Sequence, residues 1–210
     1  MKMREIVGVL CLVVGGIGLA HANPHGLLGV PVREEARGRP PYVSVAGMGG
    51  LIKPTADVDP TYTGSIELRG HLPWLDGAFS LGVEGGYYSL YGDGEAHHSL
   101  LDTYPFTYDI RVVPFRGHVV YSLFPRGRLV PFVGGGYTFA LVNSHSVVFD
   151  GDDYRDATSH GVHAFIGLEY ALGPGNLVAS LRHSYLPAEL VSSTDNVGGG
   201  DLSVGYRLLY

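Results

Sequence analysis

His183 and Ser184 stand side by side, with Glu189 a few residues later. A hydroxyl nucleophile, an imidazole base and an acid to orient it are the working parts of a hydrolase. A second constellation is acidic: Asp150, Asp152, Asp153 and Asp156 crowd one short segment between His145 and His160. Carboxylates at that density suit Ca²⁺ or a bridge between divalent ions, and the adjacent His97 and His98 offer nitrogen ligands to a softer metal. A third set is scattered. Glu67, Arg69, Glu84, Arg116, Glu169, Arg182, Asp201 and Arg207 each sit inside or beside a run of alternating apolar residues. Charges so placed serve a charge-lined path, a proton relay or a paired structural network.

The elements that hold these side chains are strands. Lys2 and Arg4 precede an apolar stretch at 6–19, and Ala20, His21 and Ala22 supply a small-x-small site. Residues 1–22 therefore read as a secretory signal peptide cleaved after Ala22, the apolar stretch being too short for a membrane helix. The single cysteine, Cys11, lies in this leader behind the bulky Leu10, so neither a lipid anchor nor a disulfide is expected. Residues 23–41, rich in Pro, Gly and Arg, read as a loose periplasmic lead-in, and 42–210 as one domain. Within it the pattern predicts strands at 42–52, 62–72, 78–91, 110–124, 129–142, 160–172, 176–186 and 199–210. Connections at 73–77, 125–128 and 173–175 are tight and carry Pro or Gly; those at 53–61, 92–109, 143–159 and 187–198 are long. Strict alternation of short and long connections is the pattern of a barrel with short periplasmic turns and long outer loops. A soluble sandwich has no reason to keep it.

In the last segment Leu202, Val204, Tyr206, Leu208 and Tyr210 fall on one face of a strand. Ser203, Gly205, Arg207 and Leu209 fall on the other. Apolar outward and polar inward, ending on an aromatic, suits a wall in lipid. It also resembles the C-terminal signature of bacterial outer-membrane barrels, which the barrel assembly machinery reads. PFRGHVVYSLFPRGRLVPFVGGGYTFAL at 114–141 resembles the small outer-membrane β-barrel family, the OmpX-type and OmpW-type proteins and the transmembrane domain of OmpA. GLEYAL, a Gly-Pro-Gly turn and LVASLRHSYLP at 167–187 fit that family's next hairpin. The resemblance implies an all-β, eight-stranded antiparallel up-and-down transmembrane barrel in a Gram-negative outer membrane. It implies outer-membrane lipid and lipopolysaccharide as surroundings and a monomer as the expected state. No peptidoglycan-binding domain of the OmpA kind is expected after the barrel.

Composition agrees with that class. Gly at 32 of 210 residues is about twice the usual share, and Tyr is abundant at 14. The net charge of −6, which becomes −7 when Lys2, Arg4 and Glu5 leave with the leader, gives nucleic acid no basic patch.

With the apolar face of each strand outward, the eight scattered charges point inward, joined by His71, His118, His163 and Ser180. Four acids against four arginines predict a paired network that plugs a narrow interior. Gly134–Gly136 blurs the phase of the fifth strand and leaves room for a bulge. Tyr87, Tyr88, Tyr91, Tyr104, Phe106 and Tyr108 read as one interfacial girdle, and Tyr121, Phe124, Tyr170 and Tyr210 as the other. Adjacent strand residues face opposite ways, so His183 and Ser184 cannot easily pair, and the His-x-Ser-Asn arrangement of outer-membrane deacylases is missing. The aspartates do not follow the D-x-D-x-D-G calcium pattern and read as solvated loop tips. Neither catalytic residues, a cofactor nor a metal are expected. The reading is an envelope barrel with a structural, adhesive or interaction role. A narrow path for small or hydrophobic solutes is the second reading, and a lipid A-modifying enzyme the third.

Overall fold

A strand crossing lipid must satisfy every backbone polar group with a neighbour, and only a closed sheet does so for all of them. The computed structural model describes residues 43–55, 58–73, 77–97, 103–125, 127–148, 151–190 and 194–210. The leader, the lead-in, Tyr42, His98 and Asp150 lie outside these. Among the described residues ten strands run in chain order: β1 (Val43–Pro54), β2 (Thr61–His71), β3 (Phe79–His97), β4 (Thr103–Ser122), β5 (Leu129–Val148), β6 (Gly151–Leu172), β7 (Gly175–Tyr185), β8 (Pro187–Glu189), β9 (Thr194–Asn196) and β10 (Gly199–Leu209). Eight of them close an all-β antiparallel barrel in the order β1-β10-β7-β6-β5-β4-β3-β2. The seam is β1 against β10, from Ser44 opposite Leu209 to Pro54 opposite Gly199. Backbone bonds between Val43 and Tyr210 extend it to the end of the chain.

The period of two holds throughout. Ile66, Leu68, Leu81, Val83, Val119, Ile166, Leu181, Leu202 and Val204 are all exposed on the outer wall. The strand positions between them are mostly buried in the interior. Two of the tight connections rest on glycines where the backbone turns left-handed, Gly77 at φ 78° and Gly173 at φ 61°, while Phe124 at φ 55° makes that turn before 125–128.

Four features depart from the sequence pattern. Residues 92–97, 103–109, 143–148 and 151–159 are not loops but continuations of the hairpins. β3 pairs with β4 as far as His97 opposite Thr103, and β5 with β6 as far as Val148 opposite Gly151. Outside the membrane no lipid-facing stripe is required, so strands there lose the alternation that reveals them. The connection 187–198 carries the two-stranded β8–β9 sheet. There the Asn196 side-chain oxygen accepts from the backbone N–H groups of Leu186 and Gly198. β5 passes through Gly134–Gly136 with unbroken register on both sides and no bulge. Finally, the β3–β4 ladder skips from Gly85 opposite Phe115 to Tyr88 opposite Val112. The buried Pro114 lies between and has no N–H to give.

Because β2 stops pairing with β3 at Tyr88, and β7 with β6 at Val162, β3–β6 rise as a four-stranded sheet above the rest of the rim.

Candidate functional site

The interior is built in levels. Nearest the tight turns, Glu67 and Arg69 of β2 meet Glu169 of β6 and Arg207 of β10. Arg207 donates to Glu67 at 2.7 Å and to Glu169 at 3.1 Å. Arg69 donates to the same two carboxylates at 2.7 and 3.1 Å. His118 bonds Glu67 at 2.9 Å, Asn176 donates to Glu169 at 2.9 Å, and Ser44 stands between Arg207 and His71. Arg207 is wholly buried. A buried guanidinium persists only where acceptors meet its fork, and here two carboxylates and a hydroxyl do so.

One level up, Glu84 of β3 holds two arginines. It accepts from Arg116 at 2.6 Å and from Arg182 at 2.8 and 2.5 Å. Asp201 lies 4.0 Å from Arg182. The two levels join through an aromatic wall on β4, β5 and β6. Phe165 packs edge-on against His118 and Phe132, and face-on against His163. Arg69 lies over the Phe132 ring and Arg182 over Phe165, each at 5.4 Å. Close approach by glycine makes room for this wall. A Cβ at Gly134 would enter the Phe165 ring, and one at Gly82 the His118 ring. The residual gap among Met48, Glu67, His118, Phe165 and Arg182 is of the order of a single water.

Above the charges the lumen turns apolar. Ile52, Tyr88, Leu90, Ile110, Val112, Ala140 and Val142 point inward and pack together. Val58, Leu186, Ala188 and Val197, from the outer connections, close over them. The Tyr88 hydroxyl donates to the Val197 carbonyl at 3.1 Å, fastening that cover.

The structure thus brings Glu67, Arg69, Glu84, Arg116, Glu169, Arg182, Asp201 and Arg207 into one buried interior, in two linked groups. Sequence reasoning missed the apolar upper level and misplaced Tyr88, which belongs to the core and not to the interfacial girdle. The signal was available: Tyr88 and Leu90 share the parity of Glu84. Tyr108 also packs against the inner apolar cluster. Tyr87 and Tyr91 face outward, as do Tyr121, Phe124, Tyr170 and Tyr210 at the turn end. The side chains of Tyr104 and Phe106 are outside the described residues.

The other constellations are dispersed. His183 is exposed and Ser184 buried, on opposite faces, while Glu189 pairs with Arg155 at 2.8 Å. His145 stacks on Tyr154, His160 bonds the Tyr137 hydroxyl, and Asp156 accepts from Asn143. No group of three or more metal-ligating side chains forms among the described residues. Asp152, Asp153 and His97 have side chains outside them.

Comparison with known proteins agrees with this architecture. The family model described as outer membrane protein beta-barrel domain matches residues 9–207. Neisserial surface protein A is similar in structure, with 19% identity, a TM-score of 0.54, and 80% of this chain and 96% of that chain covered. A major outer membrane protein from Thermus thermophilus is similar at 13% identity and a TM-score of 0.55, covering 80% of this chain and 98% of that one. At these identities the likeness concerns the fold. No curated protein matches the sequence.

Proposed function

Because the chain belongs to the outer membrane protein β-barrel domain family, we propose that it is a sealed barrel, holding its place in the membrane and working through its outer sheet. The single observation that supports this is the filled lumen. Four carboxylates and four guanidiniums, all buried, are tied across it, and apolar side chains cover them on the outer side. An ion entering would have to displace paired charges and then cross an apolar layer. The outer wall offers the band that lipid needs. In β6, apolar outward residues run from Val162 to Leu172, and in β10 from Leu202 to Tyr210. Both fit the 9–11 residues of a tilted crossing.

On this reading the chain is exported with cleavage after Ala22, and the outward Leu202, Val204, Tyr206, Leu208 and Tyr210 present the assembly machinery with its signal. The mature barrel sits as a monomer among lipopolysaccharide. It has no catalytic role. What it offers to the outside is the β3–β6 sheet, whose β3 edge extends past Tyr88 to His97 with β4 as its only strand partner among the described residues. That is about 30 Å of strand at ~3.3 Å per residue.

The apolar upper chamber favours a second reading, a narrow path for apolar solutes, which would require the Tyr88–Val197 contact to open. Planar-bilayer recording separates the two. Purified protein is expected to give no steady single-channel current, and Tyr88→Phe is expected to leave it silent. Stable openings in the native protein would sink the sealed-barrel reading; solute-dependent conductance confined to Tyr88→Phe would favour the second.

A further inference from the structure

The outward face of the raised sheet carries an ordered set of side chains that the sealed barrel does not need. Register places Tyr91, Asp109, His145 and Tyr154 on one rung across β3, β4, β5 and β6. The next rung toward the membrane carries Arg111, Asn143 and Asp156. Tyr91 and Tyr154 are 68% and 64% exposed. Between them the polar groups are held in place. Arg111 donates to Asp109 at 3.0 Å, Asn143 donates to Asp156 at 2.6 Å, and the His145 and Tyr154 rings stack at 4.2 Å.

We propose that this face is a binding platform for neutral sugar, and that its occupant is the hexose portion of the glycolipid in the surrounding outer leaflet. The inference rests on the reading that the barrel spans the outer membrane with this sheet outside.

The chemistry is complementary. A pyranose shows an apolar C–H face, which an exposed phenol ring covers, and a rim of hydroxyls. Carboxylate, amide and guanidinium groups take such hydroxyls in pairs, as acceptors and donors. Four strands at ~4.8 Å spacing set the two tyrosines about 14 Å apart, the reach of a short oligosaccharide. Two carboxylates against one guanidinium leave the platform with an excess of negative charge, which repels phosphate and sulfate and selects uncharged sugar.

Depth identifies the source. One rung below Arg111 and Asn143, the same face carries Val113 and Leu141, and below them Phe115 and Phe139. Leu141 and Phe115 are exposed apolar residues of the lipid-facing wall. The platform therefore starts where acyl chains end, at the height of headgroup sugars.

The test uses the folded mature barrel in nanodiscs. These contain lipopolysaccharide with a complete hexose core, or lipopolysaccharide truncated to its phosphorylated inner core. Native mass spectrometry reads the glycolipid retained. The native protein is expected to retain the hexose-bearing form about tenfold better, and Tyr91→Ala/Tyr154→Ala to lose that preference. Both side chains are exposed, so the double variant should keep its folded mobility on unboiled gels. Equal retention of the two glycolipids by folded native protein would overturn the inference without touching the barrel reading. A preference unchanged in the double variant would overturn it too. Equally tight binding of the free hexose oligosaccharide from solution would overturn the assignment to membrane glycolipid. Failure of the native chain to insert would instead reject the premise.

Discussion

Glu84→Ala is expected to lower the unfolding free energy by about 3–5 kcal/mol, the cost of leaving buried charge without its partner. Glu84 serves two guanidiniums at once, accepting from Arg116 and Arg182. Removing it leaves two buried cations with Asp201 as their near counter-charge, at 4.0 Å from Arg182. The sign of a second substitution then discriminates between lost packing and lost charge balance. Glu84→Ala/Arg182→Met restores neutrality at this level and is expected to be more stable than Glu84→Ala alone. Urea unfolding in lipid vesicles, followed by the mobility shift of the folded barrel, gives both numbers. A double variant weaker than the single one would show that packing, not charge, sets the loss.

The second large effect lies on the other face of the wall. Ile166→Arg puts a cation midway along the apolar stretch of β6 and is expected to cost about 2–4 kcal/mol. Thr158→Arg, further along the same strand and also outward, is expected to cost about 0–1 kcal/mol. Ile166 is 58% exposed and Thr158 is exposed as well, so in water the two would be nearly equivalent. The difference between them measures the lipid. Equal costs at both positions would mean that the lipid-facing stretch of β6 does not end between Val162 and Thr158.

Much of the fold was legible because lipid and lumen make opposite demands on neighbouring residues. Leu68 outward dictates that Glu67 and Arg69 are inward, and Leu181 fixes Arg182 in the same way. The interior charges could be named from parity alone. Where both faces carry apolar residues, parity has nothing to contrast. Tyr88 and Leu90 pack inside while Tyr87 and Tyr91 face out, and only the parity carried on from Glu84, not any local contrast, tells them apart. Where neither face meets lipid, the opposite failure occurs. Asn143 to Val147 mixes polar and apolar residues without a period, so the upper β5 looks like loop although its backbone is fully paired. The cover made by Leu186, Ala188 and Val197 was illegible for a third reason. It depends on a short connection folding back across the mouth, which no local pattern announces.

The way the lumen is tied has a consequence in time. Each wall interface but one joins consecutive strands of the barrel, so most of the sheet can form by local zipping. The β1–β10 seam instead unites residues as distant as Ser44 and Leu209. Loop closure over such a separation is entropically costly and slow. The ion pairs follow the same division. Glu67 with Arg69 is local, but Arg182 reaches Glu84 across 98 residues, Arg69 reaches Glu169 across 100, and Arg207 reaches Glu67 across 140. An open sheet leaves these partners on distant staves, with cations and carboxylates exposed along one side. Glu67 with Arg69 and Glu84 with Arg116 can pair before that, whereas these long-range pairs form only as the first and last strands meet. The network thus acts as a latch that engages late, rewarding a completed ring and penalising a half-built one.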